Sequence, residues 1–355
     1  MKLVTLPWLI DAFAAGVRPL AELEVQQLRR VAVINATALG DTILSTPLIR
    51  GLRENLPHAH ITWMINSTWL PVFANHPHVD SIEIFNNRFS DLFKLWFANS
   101  DPYDLVIVSH GNDPEASMAA RMLGAKFIVK TPHGEWPELH SNPAIGGPKP
   151  SDHGIHKRLW PLKLLFPGAA AVAPRMELAS VPYEGACGAQ VIGFQVGAST
   201  ASRLWPPEHY AHLAQRLLAG DDELTILLLG GPGDQVRGLE VAKLLPGEKR
   251  VKNLVGKISL AELPSRLAGL AVLVTPDTGV MHMAVALQVP TVTLFAVAHH
   301  SGSGALVDLE RHRFIQGEIT CDPCIAKKCL DAECMALITP EQVFPQVVEL
   351  LGQSS

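Results

Sequence analysis

At 355 residues the chain is too long for one growing core and divides more naturally into two domains. Apolar residues make up 48% and charged residues 18%, which excludes a disordered or fibrous protein and fits an ordinary α/β composition. A formal net charge of -5 speaks against nucleic acid as the main partner, and no stretch reaches the length of a membrane span.

Residues 1–30 read as an appendage. The run LVTLPWLIDAFAAGV follows a single Lys2, is interrupted by Asp11 and ends without a small-residue cleavage site. An amphipathic segment resting on the body of the protein, on a partner or on a membrane surface fits it better than a secretory signal. Cytoplasm is the default location.

The first sheet begins with VAVINATALGDTILSTPLIRGLRENLP. The pattern predicts a strand over 31–34, a loop over 35–40 and a helix from Asp41 to near Pro57. Gly40 allows close backbone approach, and Asp41 suits equally a helix cap and a catalytic or ligand-binding acid at the carboxyl edge of a sheet. Further strands are predicted over 60–65, 79–85, 104–109 and 126–130, with helices between several of them, making a Rossmann-like domain over 31–165. Residues 131–160, rich in Pro, Gly, His and Trp, read as loop. His133, His153 and His156 lie there, and loop histidines usually carry no specific role.

The run 166–188 reads as a linker, and a second α/β domain fills 189–355. Its predicted strands start at Gln190 and cover 224–229 and 251–254, with a helix over 208–218 and GGPGDQVRG as a loop. Residues 270–295, LAVLVTPDTGVMHMAVALQVPTVTLF, give strand, sharp loop, helix and strand again. Thr278 and Gly279 present backbone N–H groups at that helix N-terminus, where an anion is favoured. Cys321, Cys324, Cys329 and Cys334 form C-x2-C-x4-C-x4-C. This spacing fits a structural zinc or iron site and equally four free thiols, with disulfides fitting least in a reducing compartment. Cys187 stands apart in the linker.

Four segments in order resemble glycosyltransferase family 9, the ADP-heptose–lipopolysaccharide heptosyltransferases. ATALGDTILSTPLIRGLRENLP resembles the first loop and helix of that family, GASTASRLWPPEHYAHLA its phosphate-binding segment, LLLGGPGD its next loop, and TPDTGVMHMAVALQVPTVTLF its strongest motif. The resemblance implies the GT-B architecture, two Rossmann-like domains facing across a cleft, with the acceptor on the N-terminal side and an ADP-sugar donor on the C-terminal side. It implies an inverting heptosyl transfer to a lipid-linked or core oligosaccharide acceptor that requires no cofactor, at the cytoplasmic face of the inner membrane, with peripheral contact to it.

Residue by residue, the resemblance makes Asp41 the general base beside Gly40 and places Arg203 on the nucleotide phosphates, where the family usually has Lys. Asp277, Thr278 and Gly279 match the donor loop and Asp234 an acid near the ribose. His282 fits either a nucleotide contact or a buried structural histidine. Asn35 and Thr37 depart from the residues common in the first loop, as does AVAHHSGSG after Phe295. One protein-heptosylating branch of the family holds iron on cysteines in the C-terminal region. The alternatives are a family 9 transferase using another nucleotide sugar or a protein acceptor, and a non-catalytic sugar-nucleotide binding protein. A dinucleotide oxidoreductase is disfavoured, because NATALGD lacks the G-x-G-x-x-G run.

Overall fold

The computed structural model describes residues 7–88, 90, 91, 94, 97, 101–111, 114–131, 136–142, 146–179, 190–321, 324, 325, 328–330 and 333–353. His133 and Cys187 lie outside the described residues. The chain forms two compact units, Met1–Ala179 and Ser180–Ser355.

In the first unit the strands β1 (Arg30–Asn35), β2 (His60–Ile65), β3 (Ser81–Ile84), β4 (Leu105–His110) and β5 (Phe127–Lys130) form one sheet in the order β3-β2-β1-β4-β5. Every pairing is parallel. RVAVIN suits the central place, because a parallel strand covered on both faces needs a continuous apolar run. All of Val31, Ala32, Val33 and Ile34 are fully buried. The chain leaves β1 toward β2 and β3, then returns to the other side for β4 and β5. The order therefore reverses between β1 and β4, and Asn35 lies opposite His110 across a register shift at that point. Ligands of open parallel sheets bind at such reversals, outside the carboxyl ends of the strands.

Helix α1 (Pro7–Ala14) precedes the sheet, α2 (Leu39–Ile43) and α3 (Thr46–Asn55) follow β1, and α4 (Leu70–Phe73) follows β2. The predicted single helix from Asp41 is thus two, broken at Leu44 and Ser45. Pro47 explains the restart, since its missing N–H is harmless in a first helical turn. Helix α5 (Glu115–Met122) follows β4. Helix α6 (Gly154–Leu165) corrects the expectation of loop throughout 131–160. Its packing on α3 depends on Gly51, where a Cβ would stand 2.3 Å from the Leu162 side chain. Beyond α6 the chain is tied back over α3 by Arg50 Nη1 on Glu177 at 2.8 Å and by Glu177 N on Thr46 Oγ1 at 3.0 Å.

The appendage lies on this unit. Ile10 is buried, and Phe13 and Val17 pack against the core under β4 and α5. Arg121 donates to the carbonyls of Phe13 at 3.0 Å and Ala15 at 2.8 Å. Arg18 N bonds Lys126 O at 3.0 Å, beside the edge strand β5, and Leu20 N bonds Ser141 O at 2.9 Å. Among the described residues no helix is long and apolar enough to cross a membrane.

The second unit holds β6 (Val191–Gln195), β7 (Thr225–Leu229), β8 (Val251–Asn253), β9 (Val272–Pro276), β10 (Thr291–Phe295) and β11 (His312–Gln316) in the order β11-β10-β9-β6-β7-β8, all parallel. Again the first strand is central, and the order reverses between β6 and β9. Helices α7 (Pro207–Gly220), α8 (Gln235–Lys243), α9 (Leu263–Ala268), α10 (Gly279–Ala286), α11 (His300–Ser303), α12 (Glu333–Ala336) and α13 (Pro340–Gln353) complete it. Helix α8 starts inside the segment predicted as loop, and β11 and α13 are elements the sequence pattern did not predict. Trp205 and Tyr210 are buried whole, with Trp205 Nε1 bonded to Ile338 O at 2.8 Å and Tyr210 Oη to Gln195 O at 2.6 Å.

Burial pushes His76 and His312 down from 6.5 to about 4; the neighbouring His78 lowers His76 further, while Asp308 and Glu310 only partly oppose the effect at His312. Both stay neutral in the fold. Above pH 6.5 neither state takes up the proton; as pH falls toward 4 only the unfolded chain does, so stability is lost across that window. Urea midpoints should therefore decline from pH 6.5 to 4, and His76→Phe should flatten the contribution of the first unit.

Candidate active site

The loop and short helix after β1 are held by a buried polar network. Asn35, fully buried, donates through Nδ2 to Asp41 O at 3.1 Å and to Ser45 Oγ at 2.5 Å, and accepts from Thr42 Oγ1 at 3.2 Å. Ser45 Oγ also donates to Asp41 O at 3.0 Å and lies 2.9 Å from Ser109 Oγ at the end of β4. The Asp41 backbone is thereby tied to both strands of the reversal. Asn35 serves here as an organiser of the turn, a task that needs a short side chain with both a donor and an acceptor.

The Asp41 carboxylate stands clear of this network and is partly exposed. Its Oδ1 accepts from Arg158 Nη2 at 2.7 Å, and His110 Nε2 is 3.9 Å from the same oxygen. Its Oδ2 accepts from Thr37 Oγ1 at 3.3 Å, and that hydroxyl is 2.7 Å from His110 Nδ1. Trp69, arriving after β2, fixes the Thr37 carbonyl through Nε1 at 2.7 Å. Arg158 comes from α6. It is buried, donates through Nη1 to Gly154 O at 2.9 Å, and is drawn below the usual guanidinium range by burial, which the charge and hydrogen bond of Asp41 oppose. An arginine stays charged in such a place, so the pair is ionic and its loss would strand a buried charge. Gly40 sits in α2 beside Asp41. His153 is spent as the cap of α6, accepting from Ile155 N at 3.1 Å, with His156 edge-on to its ring.

In the second unit the reversal brings together residues far apart in sequence. Arg203, in the loop after β6, places Nη2 3.2 Å from Asp277 Oδ2 and donates through Nη1 to Asp277 O at 3.1 Å. Asp277 follows β9, and Ser303 Oγ reaches its Oδ1 at 3.4 Å. Thr278 is the N-cap residue of α10 and Gly279 its first residue, so the helix N-terminus opens beside this pair. His282 lies one turn on and is buried. Asp234 sits apart from the Arg203 pair. It accepts from Gly231 N at 2.8 Å, and its carboxylate fills the space a Cβ at Gly197 would need. Arg237 binds the carbonyls of Val196 at 3.1 Å and Trp205 at 2.5 Å, stringing the Arg203 loop to α8.

The cysteines lie beyond β11. Cys321 and Cys324 are exposed, Cys329 is half-buried and Cys334, on α12, is buried. The Cys321 thiol is raised by desolvation, then by its hydrogen bond with Cys324 and the charge of Cys324; Cys334 is raised by desolvation, with Cys329 and Cys324 adding. Among the described residues, no group of three or more His, Cys, Asp or Glu side chains is arranged to hold a metal ion.

His110 and Arg158 are residues that sequence reasoning passed over. A histidine ending the fourth strand was a usable signal, because that strand borders the reversal. The Arg158 signal was hidden with its helix.

The model of glycosyltransferase family 9 (heptosyltransferase) matches residues 164–334. Lipopolysaccharide heptosyltransferase 2 of Salmonella typhimurium is 30% identical over 302 residues, covering 75% of this chain and 82% of that protein. Lipopolysaccharide heptosyltransferase 1 of Pseudomonas aeruginosa is 25% identical over 328 residues, covering 84% and 87%. The crystal structure of a family 9 glycosyl transferase from Veillonella parvula superposes with a TM-score of 0.75 at 21% identity, over 93% of this chain and 99% of that one. At that identity the likeness bears on the fold alone, and the fold is the GT-B pair of Rossmann-like units.

Asn35→Ala would leave Thr42, Ser45 and the Asp41 carbonyl short of partners in a buried place. It should cost about 1–3 kcal/mol of stability, read by denaturant titration.

Proposed function

Since the chain belongs to glycosyltransferase family 9, the heptosyltransferases, we propose that it transfers heptose from ADP-heptose to a lipopolysaccharide core acceptor, with Asp41 as the general base. The observation that carries the residue roles is the position of Asp41 and of the Arg203–Asp277 pair at the two sheet reversals, each at the carboxyl ends of its strands.

In this reading the Asp41 carboxylate takes the proton of the acceptor hydroxyl. The acceptor oxygen attacks the anomeric carbon from the face opposite the leaving group, and the bond to the diphosphate breaks with its electron pair passing to ADP. Arg203 uses two of its five N–H groups on Asp277, which leaves donors for a diphosphate, and the N-terminus of α10 adds backbone N–H groups and a positive dipole end. Asp277 orients Arg203, while His282 supports α10 from within. Asp234 shapes the loop that would border the ribose. The chain acts at the cytoplasmic face of the inner membrane, where a lipid-linked acceptor is presented. Helix α1, with Trp8 exposed and Ile10 buried, is the segment offered to the lipid.

ADP-heptose should raise the melting temperature, and Arg203→Ala should weaken donor binding by about tenfold to a hundredfold, as expected for lost hydrogen bonds to a charged group. Asp41→Asn keeps an oxygen for Arg158; it should retain donor protection while lowering transfer by about 10²–10⁴-fold, followed by mass detection of the product. Protection by another nucleotide sugar but not by ADP-heptose would overturn the donor assignment.

The cysteine spacing supports a structural zinc or iron site, yet the thiols as placed do not build a tetrahedral set among the described residues, and no step above is routed through a metal. Elemental analysis of the purified protein, with thiol titration after unfolding, decides between them: five thiols, Cys187 included, and substoichiometric metal are expected, and one zinc or iron per chain would establish the site.

A further inference from the structure

The segment after β10, AVAHHSGSG, leaves the second sheet at the same edge as Asp277 and has no role in the chemistry so far. It is held from three sides. Gln316 of β11 donates through Nε2 to the carbonyls of Ala296 at 3.0 Å and Ala298 at 3.3 Å. The His300 ring stacks on Phe314 with centroids 5.1 Å apart, and Phe295 meets it edge-on at 6.3 Å. Burial, and then the neighbouring His299, lowers the His300 pKa, so at neutral pH this ring is an uncharged wedge. Ser303 Oγ donates to Asp277 Oδ1 at 3.4 Å, which joins the segment to the Arg203–Asp277 pair.

His299 is the exposed ring of this held segment, tilted against His300 with centroids 4.3 Å apart. Its Nδ1 accepts from Ser301 N at 3.2 Å and lies 2.8 Å from Ser301 Oγ. A neutral imidazole that accepts at Nδ1 carries its proton on Nε2. The result is an N–H donor on a fixed ring at the surface.

Strand order says which part of a donor passes this point. In the run β10-β9-β6-β7, the strands β10 and β7 flank the reversal on opposite sides. Asp234 follows β7, the Arg203–Asp277 pair follows β6 and β9, and His299 follows β10. With the diphosphate at the reversal and the ribose on the Asp234 side, the sugar lies over β10. Neighbouring strands are about 4.8 Å apart, so β7 to β10 is about 14 Å of sheet edge, which a nucleotide sugar lying across the strands covers.

Resting on the assignment of Arg203 and α10 to the diphosphate, we infer that His299 is a specificity residue for the transferred sugar, its Nε2–H donating to a hydroxyl oxygen of that sugar. A neutral N–H meets such an oxygen without the cost of desolvating a charge. Gln316, His300 and Ser303 hold the loop that carries the donor in place.

Titration calorimetry with ADP and with ADP-heptose, without acceptor, is the test. His299→Ala should weaken ADP-heptose by about threefold to tenfold, the worth of one neutral hydrogen bond, and leave ADP within about twofold. His299→Asn keeps a side chain that can accept from Ser301 N but lacks the reach of the ring, so it should show the same selective loss with the loop intact. Loss in His299→Ala alone would trace to the turn, and equal weakening of both ligands would put the contact on the nucleoside diphosphate. No weakening of either would leave His299 outside the site, and each of these three results overturns the assignment. Failure of the donor reading looks different: the unaltered protein would then bind neither ligand, or bind another nucleotide sugar in place of ADP-heptose.

Discussion

Both units are governed by one constraint, that the first strand of each sheet lies in its middle. A chain that starts there must build outward to one side and then cross back to build the other. At the crossing, two neighbouring strands send their loops in opposite directions, and a space opens that neither loop fills. In the first unit Asn35 and His110 mark this place; in the second it is marked by Gln195 and Pro276, with Arg203 and Asp277 just beyond. The chemistry-bearing residues cluster because the topology leaves them nowhere else to converge.

Two sorts of polar interaction then fix these places. Around Asn35 the contacts are neutral, short and buried, and they hold backbone, which is how a turn is made rigid without placing charge in the core. Around Asp41 the contact is ionic, and its partner Arg158 comes from a helix more than a hundred residues later. In the second unit charged groups do both, Arg237 tying carbonyls together and Arg203 facing Asp277. In the first unit neutral bonds hold the backbone and a charged one holds the Asp41 carboxylate.

Much of this could be read from the residues. VAVIN, DLVIVS, ILLL and LAVLV announce buried strands because parallel strands are apolar throughout, and the loops after them follow from Gly, Asp and Pro. Asp41 was legible this way as either a cap or a ligand-binding acid, while Arg203 and Asp277 were singled out by the resemblance to the family. What escaped shares a physical cause. Helix α6 begins with glycine and carries Pro161, so its periodicity is faint, and the guanidinium of Arg158 vanished with it. The C-terminal helix α13 likewise contains Pro345, and β11, HRFIQ, is an edge strand with a polar start and end. His110 was visible as a residue but not as a site member, because its value depends on the strand order, which sequence spacing does not state. The contacts of Asn35 and Thr37 also needed coordinates: Asn35 bonds Asp41, Thr42 and Ser45 in the turn after β1, and Thr37 reaches His110 on β4.

The appendage before β1 has a meaning beyond its own packing. An uncovered edge strand invites pairing with the edge of another molecule, and β5 is the edge of the first sheet. Here Ser141 bonds Ile128 O at 2.7 Å and Ile128 N at 2.9 Å, Asn142 bonds Lys130 N at 3.2 Å and Lys130 O at 2.8 Å, and Leu20 N of the appendage fastens Ser141 O at 2.9 Å. Ser141 and Asn142, with the appendage fastened to them, thus work as a stopper, limiting how far the sheet could extend from one copy of the chain to the next.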